Sequence, residues 1–419
     1  MRDRYDVAVI GGGPAGLSAA LAAHDAGAEV LIVEREAQLG GILKQCIHDG
    51  FGLTRYGERL SGPEYADRDI VRVHEQSIDC ALSTFVLDAR TATQRELPHT
   101  RYRLTLSDRS GIHEVTATAL ILATGCRERT AKQVFIHGDR PSGVFTAGCA
   151  QGLVNLWGMM PARRAVILGS GDIGLIMARR LTLEGAEVIG VYEAKPRPSG
   201  LARNVAQCLD DFGIPLHLSM TVTRTIGKDR LEAVEVAQVD EQMRPIAGTE
   251  EVIECDALIL SVGLIPENEL AEKLGVRLNP ATKGPLVDQG LQTLSPGIFC
   301  AGNCLSVNDL VDYVSENGVQ AGTSAAAYIR EPRERRLAHI TTKDGIASCV
   351  PQYLDLSAPH DNVVLYLRSN DDYRDRWLVI ESGSGTLLTK RYAAIRQAEA
   401  LRLEVDLSNA RGEVTVRLA

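Results

Sequence analysis

Short unbroken apolar runs punctuate this chain, at residues 7–10 (VAVI), 120–122 (LIL), 165–168 (AVIL) and 258–260 (LIL). Runs of this length predict strands. The first and third runs feed glycine-rich turns, then stretches that predict helices as far as residues 26 and 184. A further run follows each helix, at 29–34 and 187–193. Alternating stretches come next, at 101–107 and 114–119 in one half and at 231–239 and 250–255 in the other. They predict further strands. The order is the same twice, and residues 27–30 and 185–188 carry the same string, GAEV. The chain therefore reads as a loose internal duplication of an α/β unit. Beyond residue 332 the pattern changes. Short alternating segments at 362–367, 377–380 and 413–418 predict a small strand-rich unit over 335–419.

The two glycine turns are the candidate chemistry. The first is Gly11-Gly12-Gly13-Pro14-Ala15-Gly16 and the second Gly169-Ser170-Gly171-Asp172-Ile173-Gly174. A strand feeding such a turn into a helix binds a pyrophosphate. Gly11 and Gly169 allow the tight turn, Gly13 and Gly171 let the backbone approach the phosphates, and Gly16 and Gly174 let helix and strand pack closely. The helix N-terminus adds open N–H groups and a positive dipole end. Each turn is trailed by an acid near the end of the next strand, Glu34 or Glu193, suited to a ribose diol. The second such strand is one residue longer, so Tyr192 and Glu193 compete for that place. An acid there repels a 2′-phosphate and favours NAD, whereas Lys195 and Arg197 just downstream suit NADP. Asp172 is awkward beside phosphates, and also suited to capping its helix. Two dinucleotides in one chain predict the passage of electrons from one cofactor to the other.

Composition narrows the classes. The chain has 419 residues, enough for two or three domains with full cores. A net charge of −9 argues against nucleic acid or an anionic membrane as main partner. No apolar run approaches the ~20 residues of a membrane span. The first strand starts so near Met1 that no signal peptide is expected, and the expected location is cytoplasmic. Nine scattered cysteines read as reduced thiols, and without a CxxC pair no metal or cluster site is expected from this chain alone.

The string GGGPAGL with Val33-Glu34-Arg35, and the turn Ala123-Thr124-Gly125, resemble the FAD fingerprint of the two-dinucleotide flavoproteins. In that family a segment like 297–303 (GIFCAGN) returns to the first domain and contacts FAD. Here it ends in Asn303 where the family has Asp, which leaves the local field less negative. The resemblance implies two Rossmann-like dinucleotide-binding domains, the second inserted in the first, plus the β-rich C-terminal unit. The expected FAD domain is 1–158 with 279–332, and the expected NAD(P) domain is 159–278. The expected FAD contacts are Gly11, Gly13, Pro14, Ala15, Gly16, Glu34, Arg35, Gly41, Thr124, Gly125, Gly302 and Asn303. A helix over 314–327 is expected to turn its N-terminus to the flavin, where its dipole stabilises the reduced ring. The segment 40–52 is expected to pass the flavin ring. Disulfide reductases carry a C-x4-C pair there, but this chain has only Cys46. Cys46 reads as a lone redox thiol activated by Lys44 or His48, or as a packing residue; Lys44 reads as a stabiliser of the reduced ring or as a solvated side chain. Residues 126–129 (CRER) read as a substrate- or cofactor-side arginine, or as an interdomain ion pair.

Longer strings resemble a narrower group: 40–52, 125–130 (GCRERT), 169–185 (GSGDIGLIMARRLTLEG), 261–274 (SVGLIPENELAEKL) and 302–315 (GNCLSVNDLVDYVS). They are similar to the NAD(P)/FAD-dependent oxidoreductases that accompany glycerol-3-phosphate dehydrogenase-type flavoproteins. More distantly they resemble the α subunits of opine oxidase, hydrogen cyanide synthase and heteromeric amino-acid dehydrogenases. The resemblance implies hydride exchange between NAD(P)H and FAD, a second flavoprotein subunit, and a small cysteine-rich electron carrier; an oligomer is compatible with it. Two other readings stay open: an amine- or opine-oxidising subunit, and a relay or scaffold with an empty second site.

Overall fold

The computed structural model describes residues 2–92, 101–383 and 385–419. The chain divides into two compact units, residues 1–126 with 266–419 and residues 127–265. The sequence predicts these divisions at 158/159 and 278/279; in the structure they fall at 126/127 and 265/266.

In the first unit, strand Arg4–Ile10 lies between Val30–Val33 and Gly111–Leu122, parallel to both. Asp79–Ala81 extends the sheet beyond Val30–Val33, and Ile298–Cys300 beyond Gly111–Leu122. The strand Gly111–Leu122 shows why both sequence patterns occur. Its first half pairs antiparallel with Tyr102–Asp108, alternates, and has a wet face. Its last four residues, in the parallel core, are all buried. Helix Pro14–Asp25 packs on helix Val311–Arg330 through glycines. A Cβ at Gly318 would lie 2.3 Å from the Ala15 carbonyl oxygen, and one at Gly322 would lie 2.2 Å from that of Ala19. Only glycine permits that approach.

The second unit repeats the topology. Its parallel sheet runs Val144–Thr146, Ala257–Leu260, Arg164–Leu168, Glu187–Glu193 and Leu216–Leu218. The glycine-turn strand again lies between the acid-bearing strand and the run that closes the copy. Antiparallel strands Met220–Ile226, Ala233–Gln238 and Glu251–Glu254 form a separate sheet.

The expected C-terminal strands are present as Val363–Ser369, Tyr373–Ser382 and Val414–Leu418, around a core of their own that includes Leu365, Leu378, Ile380 and Val416. Polar bonds tie this region to helix Val311–Arg330. Glu316 accepts from Tyr366 and from both Nε and Nη2 of Arg402. Partial burial raises the Glu316 carboxyl, but the bonds from Arg402 and Tyr366 outweigh it, and the group is lowered from its ordinary value. A lowered carboxyl stabilises the fold above its unfolded value and loses that contribution as pH falls through the folded one. Both side chains are partly exposed, so the pair is worth about 1 kcal/mol at most. Arg402→Met is expected to lower the urea midpoint at pH 7, with the gap to wild type closing as acid protonates Glu316.

Candidate functional site

Strand Arg4–Ile10 ends at Gly11, whose φ of +111° is one that side chains rarely adopt. A Cβ at Gly11 would lie 2.3 Å from the Ala123 carbonyl oxygen, and one at Gly16 would lie 1.8 Å from that of Gly11. Gly13 is different, since a Cβ there meets nothing closer than Gly41 Cα, at 3.8 Å. The turn is closed behind and open in front. Gly13 caps the helix with no side-chain hydrogen bond, and Pro14 occupies the first turn, where its missing N–H costs nothing. These open N–H groups and the space before them fit a diphosphate. Segment 40–41 closes one side: Gly40 N donates to Gly12 O at 2.8 Å, and a Cβ at Gly41 would lie 2.9 Å from Gly13 Cα.

Glu34 is 6% exposed. Its Oε2 accepts from Gly12 N at 2.7 Å and its Oε1 from Glu36 N at 2.8 Å. A carboxylate oxygen accepts about two bonds, so each retains capacity for a ribose hydroxyl. Arg35 beside it is exposed.

The second turn repeats these backbone bonds. Gly169 has φ +94°, and a Cβ there would lie 2.1 Å from the Ser261 carbonyl oxygen, as Gly11 stands to Ala123. Gly169 N donates to Tyr192 O as Gly11 N does to Val33 O. Ser170 N donates to Glu193 Oε2 at 3.1 Å and Lys195 N to Oε1 at 3.0 Å, the counterparts of Gly12 and Glu36. Glu193 thus holds the position equivalent to Glu34. Tyr192 is buried, its ring stacked on His217 at 4.6 Å.

The two acids differ in load. Glu193 Oε2 also accepts from Ser170 Oγ at 2.5 Å and Ser199 Oγ at 3.1 Å, so Glu193 takes four bonds where Glu34 takes two. Those bonds hold the loop after strand Glu187–Glu193 across the turn. Asp172 does the same from the first turn of helix Asp172–Leu183, its Oδ1 accepting from Leu201 N at 2.9 Å and Asn204 Nδ2 at 2.6 Å. Its charge suits the helix dipole and is turned to its own chain. Gly171 caps this helix with no side-chain bond, Gly174 N donates to Ser261 Oγ, and Ile173 packs against the core.

A third group of segments meets in the first unit. Thr124 Oγ1 donates to Glu267 O at 2.6 Å, and Glu267 N donates to Gly125 O at 3.0 Å. Gly302 has φ +74°, and a Cβ there would lie 2.8 Å from Ala15 Cβ. Asn303 Oδ1 accepts from Asn308 N at 3.0 Å, so the amide orders the residues after it. Two more polar residues stand among these segments, Asn268 and Asp312, neither within a glycine-turn motif. Asn268 donates to Lys283 O and Cys304 O, and its Oδ1 is buried without a partner among the described residues. Asp312, in the first turn of helix Val311–Arg330, accepts from Thr54 N through Oδ2, and its Oδ1 is likewise buried and unpartnered among the described residues. The one signal in the sequence is an acid at a helix start.

Cys46 is buried, its Sγ donates to Ile42 O at 3.4 Å, and burial pushes the thiol up to about 12. That shift is opposite to what a thiolate nucleophile requires and gives Cys46 the character of a packing residue. Lys44 Nζ donates to Gln38 O at 3.0 Å.

The profile of the pyridine nucleotide-disulphide oxidoreductase family matches residues 5–327. The HcnB component of hydrogen cyanide synthase from Pseudomonas protegens is 27% identical over 79% of this chain and 75% of its own length. An opine oxidase subunit from Rhizobium meliloti is 28% identical over 72% of this chain, which covers 59% of that relative's length. Among solved structures, thioredoxin reductase of T. acidophilum superposes with a TM-score of 0.62 at 21% identity, over 79% of this chain and all of its own, a likeness of fold. Among the described residues no helix is long and apolar enough to cross a membrane.

Proposed function

The chain belongs to the pyridine nucleotide-disulphide oxidoreductase family, and from that membership we propose that it moves hydride between NAD(P)H and FAD as one subunit of a larger dehydrogenase. It is an FAD-dependent oxidoreductase, and its cofactors are FAD and NAD(P)H. We assign FAD to the first glycine turn and NAD(P)H to the second. The observation that carries this reading is the equivalence of Glu34 and Glu193, each bonded to the second residue of its own glycine turn.

Bound FAD supplies a ring that accepts and releases hydride. The chain supplies binding and orientation. The open first turn of helix Pro14–Asp25 holds the diphosphate, with Gly11, Gly13, Ala15 and Gly16 setting its approach. Glu34 accepts two ribose hydroxyls with its spare lone pairs, beside Arg35 and Gly41. Thr124, Gly125, Gly302 and Asn303 line the rest of the cofactor. In the second unit Gly169, Gly171, Asp172, Ile173 and Gly174 form the matching turn. Glu193 has little capacity left, so ribose recognition there falls largely to the loop it holds.

The proposed partner is a glycerol-3-phosphate dehydrogenase-like flavoprotein, with a small cysteine-rich carrier. The strings at 40–52, 125–130 and 302–315 support it, and both relatives are themselves single components of larger enzymes. The proposed location is the cytoplasm, in keeping with nine thiols and no disulfide among the described residues. Anaerobic titration is the test: NADH or NADPH is expected to bleach the bound flavin within one equivalent. A flavin that stays yellow with both, at full occupancy, overturns the reading. The similarity to an opine oxidase favours one alternative, oxidation of a C–N bond by this chain. Flavin reduction by an opine or amino acid without nicotinamide would identify it.

A further inference from the structure

Strand Ile298–Cys300 runs into the single turn Gly302–Cys304, and this brings two thiols together. Cys300 Sγ and Cys304 Sγ lie 3.3 Å apart, and both residues are fully buried. We propose that Cys300 and Cys304 form a reversible dithiol–disulfide couple, oxidised by a hydroperoxide and set within the segment that carries Gly302 and Asn303. A disulfide is about 2.05 Å long, so closure needs an approach of about 1.3 Å. The link between them is only Ala301-Gly302-Asn303, and Gly302 at φ +74° gives it a glycine hinge.

Cys304 is lowered from the ordinary thiol value, chiefly because the Cys300 thiol donates to it, against the effect of burial; the Thr124 side chain and the N–H groups of Gly125 and Thr124 assist. Cys300 is raised well above the ordinary thiol value by burial, with Cys304 beside it. The two sulfurs lie side by side at 3.3 Å, and either can donate to the other, so the same couple forms whichever attacks first. When protonated, Cys304 has one S–H to donate, with Leu122 O and Ala301 O both in reach at 3.2 Å. In the first step one sulfur attacks one peroxide oxygen, the O–O bond breaks, water leaves, and a sulfenic acid forms. In the second, the neighbouring sulfur attacks the oxidised one, the S–O bond breaks, and a second water leaves. Two thiols and one hydrogen peroxide give one disulfide and two waters, with two electrons passing from the sulfurs to the peroxide oxygens. Burial of both sulfurs blocks exchange with another protein's thiol, so the oxidant must be small.

Trypsin releases residues 284–330 as one peptide, which contains these two cysteines and no others. Full-length protein is treated with hydrogen peroxide, unfolded in denaturant, alkylated and digested. The expected result is a peptide that has lost two hydrogens and takes up no alkyl group, restored to two alkyl groups by prior dithiothreitol. Oxidised glutathione in place of peroxide is expected to leave both sites alkylatable. Two alkyl groups after peroxide, a sulfinic acid on either cysteine, or a link from either to a third cysteine each overturn the proposal. Because the readout is covalent and made on wild-type protein, it stands whether or not the flavin is reducible by NAD(P)H.

Discussion

Gly16→Ala is expected to yield protein that does not retain its flavin. The new Cβ would sit 1.8 Å from the Gly11 carbonyl oxygen, 2.9 Å from the Gly11 carbonyl carbon and 3.3 Å from Val9 Cγ1. The first two contacts are backbone, so relief means moving helix Pro14–Asp25 away from strand Arg4–Ile10. That overpacking costs about 3 kcal/mol or more. It also pulls the open helix N-terminus off the diphosphate, and about 100-fold weaker retention follows from ~2.7 kcal/mol of lost binding. The flavin-to-protein ratio after gel filtration, with circular dichroism for the fold, measures both. Gly174→Ala is the informative partner, since its Cβ meets Ser261 Cβ at 2.6 Å and Gly169 O at 2.8 Å. It is expected to keep the flavin and lose NAD(P)H binding. A Gly16→Ala protein with wild-type flavin content would remove the first turn from the cofactor site.

Asp69→Asn is expected to be the most damaging single polar change, at about 3 kcal/mol. The Asp69 side chain, on helix Gly62–Glu75, is 2% exposed. It accepts from both terminal nitrogens of Arg55, at 2.6 and 2.9 Å, and from Ser18 Oγ at 3.1 Å. The Arg55 guanidinium lies 5.0 Å from the Tyr56 ring and 5.7 Å from the Tyr65 ring. Asparagine cannot accept at both positions, and it leaves a mostly buried cation without a counter-charge. The damage reaches the site, because the adjoining Thr54 N is the partner of Asp312. A drop in urea midpoint is the measurement, and a loss below about 1 kcal/mol would mean the guanidinium turns out to water at little cost. Asp69→Leu with Arg55→Met, which removes both charges, is expected to recover most of the loss.

The glycine turns are legible in the sequence because they are local. The turn needs glycine where φ is positive or backbones touch, and strand, turn and acid follow one another in the chain. The strands themselves are legible, since apolar runs mark them, whereas their order in each sheet is set by pairing between distant segments. The choice between Tyr192 and Glu193 is not legible. It depends on which residue ends the pairing with strand Arg164–Leu168, and a bulge between Ala165 and Val166 absorbs the extra residue. Asp69, Asn268 and Asp312 are invisible for a different reason. Their partners Arg55, Cys304 and Thr54 lie 14, 36 and 258 positions away, and no spacing rule links them. Cys300 and Cys304 stand at a spacing that is neither a metal nor a redox signature, and only the single turn after strand Ile298–Cys300 brings their sulfurs together. Cys46 stands in a segment expected to be reactive, and its burial cannot be read from its neighbours.

The division of the first unit between the two ends of the chain sets an order of assembly during synthesis. Helix Pro14–Asp25 emerges early, but the helix that covers Ala15 and Ala19 ends at Arg330. Between Cys126 and Arg330 the ribosome adds 204 residues (330 − 126). At about 5–20 residues per second, the nascent first unit waits roughly 10–40 s with an apolar face uncovered. Residues 127–265 are continuous and can close in that interval. The part made first is finished last, and in that interval the growing chain is most exposed to aggregation and most dependent on chaperones.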